Sequence, residues 1–228
     1  PVASIITPIS FDPKEYLGSS IKKIAAAKAG IIKKNTTTII SNQSPIVKRI
    51  LDAKCVSNNS NVIWSAESFT VSSSRKSIIQ KLSKKSIEYP FPNLIGTHQI
   101  SNAMTAISTL TYLRVPKKHI CEGLTSTYWP ARLQEINSGR LYELIKKYNI
   151  NNKLWIDGGH NEDASIQLSK SVGFMNKKNL QIIFGCLEHK DHRSLLRNLV
   201  AVASSLSIVE IDNQPSSLIK TLAVSSAK

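Results

Sequence analysis

The chain has 228 residues, 41% of them hydrophobic, and no apolar run approaches the ~18 residues that span a bilayer, so no membrane partner is expected. Thirty Lys and Arg against fifteen Asp and Glu give a net charge of +15, which favours polyanions in general. The cations are scattered as Lys-Lys pairs without an arginine-rich strip or interleaved aromatics, and this argues against a nucleic-acid surface. Cys55, Cys121 and Cys186 are far apart in apolar surroundings, which suggests neither a disulfide framework nor a zinc cluster. Pro1 to Ile6 lacks the basic region and cleavage site of a signal peptide, so a cytoplasmic setting is expected.

Val2 to Thr7 reads as a buried strand at the very start, and this suggests an upstream part. Asp12-Pro13 breaks the chain, and Ile21, Ile24, Ala25, Lys28 and Ala29 then recur at helical spacing up to Gly30. Lys28 falls on or beside the apolar face, where it either snorkels to water or, in a confined site, is neutralised by chemistry such as carbamylation. Thr37 to Ile40 reads as a strand, Pro45 to Ala53 as an amphipathic helix and Val62 to Trp64 as another strand, the alternation of a parallel sheet with crossovers. Ser65 to Tyr89 is polar and poorly periodic and predicts no more than a hairpin or loop, with Ser72 to Ser77 its least ordered part. A helix follows from Gln99 to Leu113. Pro116 ends it, and a short helix runs through Ile120 and Leu124.

Thr127 to Gln134 looks like a junction: a proline after two aromatics fixes a bend, and a new strand–helix alternation begins. The expected domains are 1–126 and 127–228. Strands are expected near Leu133–Ile136, Leu154–Asp157, Gln181–Phe184 and Leu206–Ile211, with helices starting near Glu162 and Asp191. The stretch Leu154 to Asp163 reads as strand, tight turn and helix. Asp157 would end the strand facing a crevice, the two glycines would admit a ligand to the backbone, and His160 and Asn161 stand at the helix entrance. An ordinary strand-to-helix turn with Asn161 as N-cap fits the same residues.

Several blocks together carry a resemblance: Ile6 to Asp12 with Glu15 to Gly18; Lys23-Ile24-Ala25 with Lys28 to Lys33; Gly96 with His98-Gln99 and Asn102-Ala103; Trp129 to Leu133; Asp157 to Asn161; and Phe184 to Leu187 with Lys190-Asp191. In this order and spacing the chain resembles the folylpolyglutamate synthase/dihydrofolate synthase family of Mur-type ligases. The resemblance implies an α/β fold: the C-terminal part of a central ATPase domain in 1–126, then a partial Rossmann-like C-terminal domain in 127–228. It implies a ligase that joins L-glutamate to a folate or dihydropteroate carboxylate through an acyl-phosphate, using ATP and Mg2+. Lys28 then matches the carbamylated lysine, Asn102 an adenine contact, Arg132 the interdomain arginine that reaches the phosphates, and Asp157 with His160 the residues near the nucleotide.

Departures accompany the matches. No Gly-x-x-x-x-Gly-Lys-[Ser/Thr] phosphate loop occurs. Pro13 stands where the family carries a metal-binding histidine, so no metal ligand is assigned. Ala27 replaces a glutamate often found before the lysine, and Ala131 replaces the glycine before the arginine. The expectation is a fragment, completed by a separate chain that supplies the phosphate loop, or else a catalytically inactive remnant that binds nucleotide or serves as an interaction module.

Overall fold

The computed structural model describes residues 1–10, 20–83, 85–148, 153–172, 180–187 and 191–212. Asp12, Pro13, the Glu15–Gly18 block and Lys190 lie outside the described residues. The chain divides into two compact units, one of Pro1–Asn93 with Thr97–Thr127 and one of Leu94–Gly96 with Tyr128–Lys228.

The first unit begins with a parallel three-stranded sheet, β1 (Ala3–Ile6), β2 (Thr37–Ile40) and β3 (Asn61–Trp64), in the order β1-β2-β3. The register sets Ile6 beside Ile40 and Ile40 beside Trp64. Helices α1 (Ile21–Lys28) and α2 (Pro45–Ser57) are the crossovers. Ser20 caps α1 through Lys23 N–H, and Pro45 begins α2 where its missing N–H costs no helical bond. Ile24, Ala25, Ile40, Val47 and Leu51 have no exposed surface and form the core between these helices and the sheet. Beyond the strand ends, the Gln43 amide accepts from Ile9 N–H and donates to the Thr7 carbonyl, each at 2.9 Å.

The stretch expected to be no more than a hairpin is an antiparallel three-stranded sheet: β4 (Phe69–Ser72), β5 (Ser77–Lys81) and β6 (Ser86–Pro90). Its polar composition hides the strands because the buried polar side chains of β5 are satisfied by side chains of β6. The Tyr89 hydroxyl donates to buried Gln80, and Ser77 donates to Glu88. Helix α3 (Thr97–Tyr112) packs Ala103 and Ile107 against Ile78 and Tyr89, joined by Ile120 and Leu124 of α4 (Lys117–Ser126). A buried bond between Ser65 and Thr105 ties α3 to the end of β3.

In the second unit, β7 (Gln134–Glu135) and β8 (Trp155–Ile156) pair antiparallel, while β9 (Gln181–Phe184) and β10 (Ser205–Ile208) pair parallel. The turn expected at the end of a parallel-sheet strand therefore follows an antiparallel one, which stops at Ile156. Helix α5 (Arg140–Lys147) between β7 and β8 was not foreseen, although Leu141, Leu144 and Ile145 recur at helical spacing; none of its residues is buried. Helices α6 (Glu162–Val172) and α7 (His192–Val200) frame β9. Leu195, Leu196 and Leu199 pack on Phe184 and Cys186, and Asn198 donates to Ser165 across the two helices. Asp191 caps α7. Bonds from Ser194 lower its carboxyl below the usual carboxylate range, against the opposing effect of partial burial.

Candidate functional site

The second unit contains a cleft of about 470 Å3 whose walls include Asp157, Gly159 and His160 after β8 and Phe184, Gly185 and Cys186 after β9. The second segment follows β9 of the parallel pair, at the end where an α/β fold collects its ligand-facing loops, and the first follows β8 of the antiparallel pair. Asn161 is the N-cap of α6: its Oδ1 accepts from Ala164 N–H at 2.8 Å. Glu162 and Asp163 occupy the first turn, so the positive end of the helix is already met by carboxylates and is a poor seat for phosphate.

Asp157 does not project unengaged into the cleft. Its Oδ1 accepts from Gly159 N–H at 2.7 Å and its Oδ2 from Leu133 N–H at 2.8 Å. Gly159 is required by this fold-back rather than by an approaching ligand, since a Cβ there would lie 2.8 Å from Asp157 Oδ1 and 3.0 Å from Ala164 Cβ. His160 Nδ1 lies 3.1 Å from the Gly158 carbonyl, and donation from Nδ1 leaves Nε2 as the acceptor of an exposed imidazole.

Arg132 is exposed and stands between two residues in the left-handed region, Ala131 at φ 53° and Leu133 at φ 43°. Each costs about 1–2 kcal/mol for a residue with a Cβ. The loop is held by Leu133 N–H on Asp157, by Gly158 N–H donating to the Ala131 carbonyl at 2.8 Å, and by Ala131 N–H donating to Gln134 Oε1 at 3.0 Å. Gln134 in turn donates to the Tyr128 hydroxyl. Arg132, Asp157 and His160 are thus brought onto two loops bonded to each other. Gln134 was read only as the end of the Thr127 to Gln134 junction, because a lone glutamine carries no motif. The Phe184 to Leu187 block was noticed without a role; its place after a strand, like that of Asp157, was the available signal.

Lys28 and Asn102 lie in the first unit. Lys28 is half-buried in the last turn of α1 and engaged by neighbouring groups. Asn102, on α3, donates to Gln99 Oε1, and Gln99 Nε2 lies 3.0 Å from His98 Nε2. The Asn102 amide oxygen makes no hydrogen bond to the described residues. Cys55 is buried, which with the nearby Asp52 charge raises its thiol pKa against hydrogen bonds from Thr38 and Ser60; it is a core residue. Among the described residues, no group of three or more His, Cys, Asp or Glu is placed to hold a metal ion, and no helix is long and apolar enough to cross a membrane.

Residues 1–110 match the Mur ligase middle domain. The chain is 26% identical over 230 residues to folylpolyglutamate synthase of Lacticaseibacillus casei, covering 96% of this chain and 51% of that protein. It is 25% identical over 244 residues to dihydrofolate synthase/folylpolyglutamate synthase of Bacillus subtilis, covering 97% of this chain and 52% of that protein. It therefore spans about half the length of these curated relatives. Its fold is that of the Mycobacterium tuberculosis folylpolyglutamate synthase complexed with ADP and AMPPCP, with a TM-score of 0.80 at 24% identity over 99% of this chain and 51% of that one. By these matches the chain is similar to the folylpolyglutamate and dihydrofolate synthases, and its first 110 residues match the Mur ligase middle domain.

Proposed function

We infer that the chain forms part of an ATP-dependent amide ligase that joins L-glutamate to a folate or dihydropteroate carboxylate through an acyl-phosphate, in a cytoplasmic setting. The observation that carries this reading is the exposed Arg132, held on a loop bonded to the Asp157–His160 turn that lines the cleft. A guanidinium so placed can bridge phosphate oxygens with two parallel bonds.

In this reading 1–126 is part of the central ATP-binding domain and 127–228 part of the C-terminal ligase domain. ATP, when bound, supplies the phosphoryl group that activates the carboxylate. Arg132 neutralises its phosphates, His160 offers Nε2 as an acceptor near the nucleotide, and the Asn102 amide oxygen accepts from the adenine amino group. Lys28, carbamylated, contributes an anion. Mg2+ accompanies the nucleotide, but the described residues hold no cluster for it, and no step is assigned to it. Nothing in the fold or in the comparisons supports a separate chain for the phosphate loop. A second reading, a nucleotide-binding module without catalysis, draws on Ala131, whose methyl group strains the loop where the family carries glycine.

The test is ATP binding by the chain, followed by calorimetry. Losing a charge-assisted contact worth about 1.5–3 kcal/mol means that Arg132→Ala should weaken binding by about tenfold or more. An unchanged affinity in the Arg132→Ala variant would remove the arginine from the site.

A further inference from the structure

We propose that helix α5 is a membrane-surface contact, lying flat on an anionic lipid surface with its apolar face towards the acyl chains and its cations among the headgroups. The proposal goes beyond the ligase reading and does not rest on it. The lack of a spanning run, which argued against a membrane partner, does not bear on it: a helix lying in the interface plane needs only one apolar face.

That face is written in the sequence. Leu141, Leu144 and Ile145, with Tyr148 at the C-cap, fall at i, i+3, i+4 and i+7, which is one side of a helix. A globular domain buries such a stripe against its core. Here Leu141, Leu144 and Tyr148 leave 46%, 50% and 67% of their surfaces exposed, and no residue of the helix is buried.

The borders of the stripe are cationic and aromatic. Arg140 and Lys147 flank it on one side, by the turn of the helix. Tyr142 borders it on the other, with the Lys146 ammonium 4.9 Å from the centre of its ring. Glu143, the single acid of the helix, falls on the side away from the stripe. Lys153 nearby is spent on Glu135 at 3.0 Å, whereas Arg140, Lys146 and Lys147 make no ion pair to the described residues.

Charge and apolarity together select the partner. A soluble polyanion would meet the cations but leave Leu141 and Leu144 in water. An apolar protein surface would cover the leucines but leave the cations at their edge unanswered. An anionic lipid surface answers both, with charge at the headgroups and hydrocarbon just beneath. Tyr142 and Tyr148 suit the boundary between the two, since each is an apolar ring with a polar tip.

The experiment is co-sedimentation of the 228-residue chain with vesicles of phosphatidylcholine alone and of equal parts phosphatidylcholine and phosphatidylserine. The parent should sediment with the mixed vesicles and far less with phosphatidylcholine. Arg140→Gln with Lys147→Gln removes two cations from the surface and should weaken the partition by about thirtyfold. Lys117→Gln with Lys118→Gln removes the same charge from exposed α4 and should leave it within about threefold. Leu141→Gln with Leu144→Gln keeps every charge and should weaken it by about tenfold or more. Urea midpoints should match the parent in all three, since none of these residues is buried, and this separates a lost contact from a lost fold.

A parent that does not sediment with the mixed vesicles overturns the proposal, as does an equal loss from the α4 and α5 charge variants. Leucine variants that bind the mixed vesicles as the parent does overturn it too. Parent binding to an oligothymidine strand that survives the leucine changes, with no vesicle binding, would give α5 to a nucleic acid instead. None of these measurements uses ATP or turnover, so failure of the ligase reading leaves the test intact.

Discussion

In the first unit the residues that set geometry are apolar and sealed from water: Ile24, Ile40, Val47 and Leu51 between sheet and helices, and Ile78 of β5 against Ile107 of α3. In the second, the residues that set the geometry around Arg132 are polar and partly exposed: Asp157, Gln134 and the backbone N–H groups of Leu133 and Gly158. Apolar packing positions whole elements and tolerates small errors of direction. Hydrogen bonds to a carboxylate position single backbone groups and allow strained torsion angles to persist. A scaffold can be built the first way, but a loop that must aim one guanidinium needs the second.

The largest effect that could break this contrast concerns turnover. The 228-residue chain alone should release phosphate in a glutamate- and folate-dependent assay at least ~10²–10³-fold more slowly than a full-length relative, since losing even one preorganised donor has that effect and the chain carries no Gly-x-x-x-x-Gly-Lys motif. Comparable rates would mean that some stretch of the first unit is more than scaffold. Next in size, Leu51→Ala, at a position with no exposure, should cost about 2–5 kcal/mol in urea unfolding. A smaller loss would mean that the packed layer is softer than its burial implies.

Gly159→Ala should cost about 1–3 kcal/mol, because its methyl group would meet Asp157 Oδ1 and Ala164 Cβ. The loss should register at the Arg132 loop, by amide exchange of Leu133, before it registers in the first unit. Smallest is the cap of α7. Asp191→Ala should lose about 0.5–2 kcal/mol at neutral pH. Because the Asp191 carboxyl is held below its usual value, its contribution is present above the ordinary carboxylate pKa of ~3.9 and is lost as pH falls through the lowered value in the folded state. Unfolding of the parent and of Asp191→Ala should therefore converge under strongly acid conditions; a constant gap would mean that the cap does not depend on ionisation.

The parts legible in the sequence are those where one local pattern has one physical meaning. Apolar periodicity placed β1, β2, β3, α1 and α3, because a buried face must repeat with the period of its element. Asn161 was readable as a cap because few side chains can satisfy a helix's first N–H groups, and Arg132, Asp157 and His160 stood out through the company they keep in their blocks. The β4–β6 sheet was not legible, since its strands carry polar residues such as Ser77 and Gln80 at buried positions, which only the side chains of the neighbouring strand satisfy. Helix α5 carries a readable pattern, Leu141, Leu144 and Ile145 on one helical face, and was overlooked; none of its residues is buried. Only the tertiary structure showed what Asp157 bonds to: its partner Leu133 is 24 residues away, and that bond, with those of Gly158 and Gln134 to Ala131, holds Ala131 and Leu133 in a left-handed form against the preference of both side chains. A local sequence encodes the torsion angles a residue favours; a strained loop is set by groups elsewhere in the chain that hold it against them.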